Sequence, residues 1–307
     1  MVHQLPNLLI IGVPKAGTTS LFTYLKQHPA ICPSTPKEPN YFTALRQPGA
    51  TLAPLTTYRQ HFSACRGQRF WMEASPGYAV GGPAVIERIK ECLDQPRNVL
   101  ILREPTDRLW SAYTFQKARG RLPAAWTFDE FVSECTRQRQ LGTDRLPTNI
   151  FAAFSMGYYA DFVEQWLDAF GNDIRIVFTD ELSSDPHQVV ERLCRWLDID
   201  HTVTQSFDYE RRMTTLQSGI PMLDRAAYLT RRIIRPLRPT SAVRSIMRSI
   251  AGPLNGLRPS SEELSDRTRA RVDDMYRASN VALSMCLRNH GYNDLPSWLP
   301  APAGLDV

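Results

Sequence analysis

The chain has 307 residues, 43% of them hydrophobic and 22% charged, and carries a formal net charge of +5. That balance excludes a disordered or collagen-like chain and is enough to bury one sizeable core, as a single domain over residues 1–307. The mild positive charge favours anionic ligands or an acidic surface and does not single out nucleic acid.

Six cysteines (Cys32, Cys65, Cys92, Cys135, Cys194, Cys286) are scattered, with no C-x-x-C pair. The scatter argues against a zinc site or a disulfide framework and suits a reducing compartment. "LPNLLIIG" is too short for the apolar core of a signal peptide and has no basic leader, and no stretch approaches the length of a membrane span. The expected location is the cytosol.

In chain order, "NLLIIG" is a short apolar run ending in glycine, the pattern of a buried parallel strand. A helix follows, with Thr18 or Thr19 as its expected cap, Leu21, Phe22 and Leu25 inward and Pro29 beyond its end. Residues 30–80 are rich in Pro, Gly and Thr and read as irregular, acceptor-side loops. "RNVLILRE" is a second buried strand, with a helix predicted from Thr106 to Lys117. "GYYADFVEQWLDAF" is amphipathic, "DIRIVFTDEL" is a third strand and "DPHQVVERLCRWLDI" a helix. Residues 221–257 read as helical and basic, and a last helix is predicted from Ser261 to His290, before a Pro-rich tail. Strands alternating with helices imply an α/β fold, a P-loop-like doubly wound parallel sheet flanked by helices, with helical C-terminal additions.

Three features carry chemistry. "GVPKAGTTS" keeps the G-x-x-x-x-G spacing of a phosphate loop at Gly12 and Gly17, but its lysine is Lys15, inside the loop. A strand, glycine loop and helix in that order aim backbone N–H groups and a helix dipole at an anion. In "LREPTDRLWSAY", Arg103 stands at the end of the second strand and Ser111 lies eight residues on. An arginine at the carboxyl edge of a parallel sheet meets ligands in the crevice there, and its fork suits a phosphate. In "PKEPNYF", Glu38 precedes Tyr41 and Phe42, and a carboxylate against an aromatic wall can serve as a general base.

Together these segments resemble the sulfotransferases that use 3′-phosphoadenosine 5′-phosphosulfate (PAPS). "PKAGTTS" resembles that family's 5′-phosphosulfate loop and "LREPTDRLWSAY" its 3′-phosphate motif. "KEPNYF", "MEASPGY" and "YRASNVALSMCLRNHGYNDLPSW" resemble segments of the heparan sulfate branch and its bacterial relatives. The resemblance implies that Lys15, Ala16, Gly17, Thr18, Thr19 and Ser20 hold the 5′-phosphosulfate and that Arg103 and Ser111 hold the 3′-phosphate. It further implies that Tyr159 contacts adenine and that Glu38 and Lys15 are catalytic. His61 and Glu73 stand in reserve as bases. PAPS would be the co-substrate and adenosine 3′,5′-bisphosphate (PAP) the product, with no metal. The acceptor would be a carbohydrate, a lipid-linked sugar or a small natural product, recognised by residues 30–80 and 205–260.

Two departures from the branch stand out. Relatives often carry lysine where this chain has Ala74, and no match to their C-terminal Lys/Gly/Arg cofactor loop is found: "YERRMTTLQSGIP" stands roughly in its place, with Arg211 or Arg212 open as substitutes. The alternative is a kinase using Mg-ATP, with Asp180 in "RIVFTDE" as its Walker B carboxylate. A non-enzymatic alternative is a nucleotide-binding adaptor that meets a membrane surface through the basic 225–248 segment.

Overall fold

The computed structural model describes residues 5–47, 49–144, 149–210, 216–218, 257–259 and 262–301. Its elements in chain order are β1 (Leu8–Gly12), α1 (Thr18–Leu25), β2 (Ile31–Pro33), α2 (Leu55–Arg59), β3 (Phe70–Ala74) and α3 (Gly82–Cys92). There follow β4 (Arg97–Leu102), α4 (Pro105–Ala118), α5 (Phe128–Gln140), α6 (Ala152–Ser155), α7 (Val163–Phe170) and β5 (Ile174–Phe178). Last come α8 (Thr179–Ser184), α9 (Pro186–Trp196), β6 (Leu216–Ser218), β7 (Leu257–Pro259) and α10 (Asp266–Asn289). Short 3₁₀ turns join several of these.

The first five strands form one parallel sheet in the order β2-β3-β1-β4-β5, flanked by helices. Every residue of β1 is buried, as expected for a strand covered on both faces. Because β1 lies between β3 and β4, the segments leaving those three strands meet at one carboxyl edge of the sheet. Gly12 lets them meet closely, since a Cβ there would lie 2.5 Å from the Ala79 Cβ. Apolar side chains pack the sheet against its helices, and a second cluster (Leu109, Tyr113, Phe131, Phe154, Val272, Tyr276) binds α4, α5, α6 and α10.

Three expectations need correction. Residues 30–80 are not merely loops: they contain β2, β3 and α2, and β3 is a direct neighbour of β1. The strand escapes a pattern search because Glu73 interrupts its apolar run. Cys32 and Cys65 form a disulfide, although 33 residues separate them, because folding brings their Cα atoms to 5.6 Å. Scatter along the chain therefore carried no information about pairing, and the inferred reducing compartment loses that support. The amphipathic segment before β5 is a 3₁₀ turn, Tyr159–Asp161, followed by α7. The last helix starts at Asp266 with Ser265 as its cap. No helix among the described residues is long and apolar enough to cross a membrane. Most of the 221–257 segment, including the basic stretch 225–248, lies outside the described residues, as do Arg211 and Arg212.

Candidate active site

The loop between β1 and α1 is pinned from three sides. Val13 N–H donates to the Ile101 carbonyl of β4 at 2.8 Å, and the Thr179 hydroxyl donates to the carbonyls of Ala16 (2.7 Å) and Leu102 (3.1 Å). Lys15 and Gly17 both take left-handed backbone, at φ 73° and 99°. That is ordinary for glycine and costs a lysine roughly 1–2 kcal/mol, so packing holds the turn against local preference.

Gly17 itself caps α1, and no side chain does. The expected capping role of Thr18 or Thr19 is thus not met; both lie within the helix, with Thr18 buried. The first N–H groups of the helix, from Thr18, Thr19 and Ser20, point away from it with its positive dipole end, as an anion requires.

Cations converge on the same place. Arg103 leaves β4 and donates from Nη1 to the Lys15 carbonyl at 3.3 Å. The Lys15 ammonium lies 4.0 Å from the centre of the Phe115 ring, and the Arg119 guanidinium lies 4.2 Å from it. Phe115 and Arg119 thus lie against the loop at the end of α4, and Ser111 stands four residues before Phe115 in the same row. Burial, and then the charges of Arg103 and Arg119, push Lys15 down to about 8. Such crowding is relieved by an anion. Neither Phe115 nor Arg119 stands out in the sequence, although their spacing from Ser111 is the signal that could find them.

Tyr159 does not offer a face to adenine. Its ring has no exposed surface, and its hydroxyl donates to the Arg103 carbonyl at 2.7 Å, fixing that arginine from behind. β6, which pairs with β7, lies beside α4.

Beyond the loop, Glu38 is exposed and ion-paired with Lys37 at 2.9 Å. The carboxylate enclosed by aromatic rings is instead Glu73, at the end of β3, which is fully buried. Its Oε1 accepts from the Tyr58 hydroxyl and, at 2.9 Å, from that of Tyr78; its Oε2 accepts from Ser75. Burial pushes Glu73 up to about 7 against the pull of those three donors, and the charge of Glu38 adds to the rise. His61 braces the segment between β2 and Glu38 by exchanging contacts with the backbone of Thr35.

Residues 5–218 match the sulfotransferase domain family, more than half of the chain. The chain belongs to that family. Heparan sulfate glucosamine 3-O-sulfotransferase 3B1 of Homo sapiens is 28% identical over 224 residues, 73% of this chain and 53% of the relative. The bifunctional heparan sulfate N-deacetylase/N-sulfotransferase 1 of Homo sapiens is 24% identical over 96% of this chain and 31% of its own length. The chain therefore spans about half or less of such relatives. A sulfotransferase crystal structure from Alicyclobacillus acidocaldarius superposes with a TM-score of 0.68 at 21% identity, covering 96% of this chain and 99% of that one. The shared fold accounts for the position of the loop. Asp180, the carboxylate of the kinase alternative, accepts from the Trp298 indole at 3.2 Å, and its neighbour Thr179 is the residue that touches the loop.

Proposed function

We propose that this sulfotransferase moves the sulfuryl group of PAPS to a hydroxyl or amine of a carbohydrate, releasing PAP. The observation that carries the donor choice is the desolvated Lys15 ammonium, crowded by Arg103 and Arg119 beside the start of α1, where no side chain occupies the first N–H groups. A triphosphate needs a lysine reaching outward and a divalent ion; a single phosphate bearing a sulfonate needs less neutralisation. Lys15 inside the loop supplies it.

In this reading the main-chain N–H groups of residues 16–20 and Lys15 hold the 5′-phosphosulfate. Arg103, kept in place by Tyr159, holds the 3′-phosphate together with Ser111. Lys15 and the α1 terminus stabilise the negative charge that develops on the departing phosphate as its S–O bond breaks, worth about 3 kcal/mol or more. Glu38 takes the acceptor's proton as the new bond to sulfur forms, contributing about 10²–10⁴-fold. The sugar acceptor is supported by the names of the relatives, which act on heparan sulfate through oxygen or nitrogen.

Calorimetry with PAP and with Mg-ATP, followed by turnover of PAPS labelled on the sulfonate against a glycan panel in EDTA, tests this reading. Binding of PAP and label transfer to a glycan are expected, with Glu38→Gln binding PAP but transferring nothing. Binding of Mg-ATP alone would overturn the donor assignment, and label on a lipid or small phenol would overturn the acceptor.

A further inference from the structure

The buried carboxylate of Glu73 is tied to the segment that carries Glu38 by more than proximity. The Asn40 N–H donates to Ser75 Oγ at 2.9 Å, and the Phe42 N–H donates to the Tyr78 hydroxyl oxygen at 3.3 Å. The Tyr58 ring stacks on Tyr41 at 4.4 Å and meets Phe42 edge-on at 5.5 Å. Next to Glu73, the Ala74 N–H donates to the Lys37 carbonyl at 3.1 Å. Residues 37–42 are thus held at Lys37, Asn40, Tyr41 and Phe42, on either side of Glu38.

The direction of these bonds fixes the charge state that the arrangement needs. A hydroxyl has one proton. Ser75 and Tyr78 each accept a main-chain N–H, and each points its own proton at Glu73, as does Tyr58. Three donors converge on two oxygens. An ionised carboxylate accepts all three in this arrangement; a protonated acid must donate, which turns at least one of these hydroxyl protons away from Glu73 toward a neighbouring hydroxyl, since Tyr58 and Ser75 both contact Tyr78, and so re-sorts the acceptors of the Asn40 and Phe42 amides. We propose that Glu73 is a positioning residue whose ionised carboxylate sets the conformation of residues 37–42 and so places Glu38 for proton removal. This rests on the reading of Glu38 as the base.

The titratable groups acting on Glu73 are Glu38 from the loop, Tyr58 from α2 and Tyr78 from the segment after β3. Both tyrosines are pushed well above the phenol range by burial, so they keep their protons throughout the neutral range. Glu73, pushed up to about 7, is the enclosed group that changes charge there.

The test follows the Asn40 and Phe42 amides by ¹H–¹⁵N NMR in the full chain, from pH 5.5 to 8.5, beside the pH profile of kcat. In the wild type both amides should titrate together near neutral pH, with the acid limb of kcat at the same midpoint. The amide titration should persist in Glu38→Gln and vanish in Glu73→Gln. In Glu73→Gln both amides should exchange at least about tenfold faster, kcat should drop about as much, and PAP affinity should hold within about twofold. Should Glu73→Gln fail to fold, the wild type and Glu38→Gln decide the matter. Titration abolished by Glu38→Gln, or amides indifferent to pH and to Glu73→Gln, overturns the proposal. The amide measurements need no turnover, so an absence of sulfuryl transfer would count against the proposed reaction and leave this result intact.

Discussion

Lys15 predicts a proton linkage that can be read without knowing the acceptor. In the free protein its ammonium titrates at about 8 instead of 10.5, because it is largely buried beside Phe115 and faces Arg103 and Arg119. A bound anion opposes both charges and restores the upper value. The free pKa is then the lower one, so binding takes up protons, and affinity weakens as pH rises through the free value toward the bound one. At pH 8 half of the free ammonium is gone, so binding of PAP should take up about 0.5 proton, against roughly 0.1 at pH 7. The gap corresponds to at most about 3.4 kcal/mol, and solvent screening of this partly exposed group brings it to roughly 2–3. Affinity should therefore fall by about fivefold between pH 8 and 9. Calorimetry at pH 8–9 in two buffers of different ionisation heat measures the uptake, clear of the ligand's own phosphate ionisation near pH ~6. Lys15→Met should abolish it. An uptake of zero, or an equal uptake in Lys15→Met, would refute the placement of an anion at this lysine.

The other predictions concern single contacts. Arg103→Ala should leave adenosine 5′-monophosphate binding nearly unchanged and weaken PAP by about 10–100-fold, collapsing the ratio between the two in competition assays. Gly17→Ala forces a side chain into left-handed backbone at φ 99° with its Cβ 3.3 Å from Leu182. It should cost about 1–2 kcal/mol in urea unfolding and weaken PAP as well; an unaffected midpoint would show that the loop adapts. Cys32→Ser opens a 33-residue loop. Chain entropy puts the loss near 3.7 kcal/mol, a fall in Tm of roughly 6 °C, and reductant should lower the wild type by the same amount. A wild-type Tm indifferent to reductant would contradict it.

What the sequence determined by itself is local. The apolar run of β1, the glycine spacing and the amphipathic stretch of α1 specify a strand, a tight turn and a helix from near neighbours alone, and the order Arg103, Pro105 and Ser111 specifies a strand end followed by a helix. Tertiary structure decided what each side chain faces. Glu38 and Glu73 are both carboxylates beside aromatics in sequence, yet β3, α2 and the 75–78 segment enclose only Glu73. Tyr159 resembles a nucleotide contact until packing against Arg103 and Trp298 buries it. Cys32 and Cys65 become partners only once β2 and the segment before β3 are side by side. Backbone preference is set within a few residues, whereas burial, and with it charge state and pairing, depends on which distant segments cover a group.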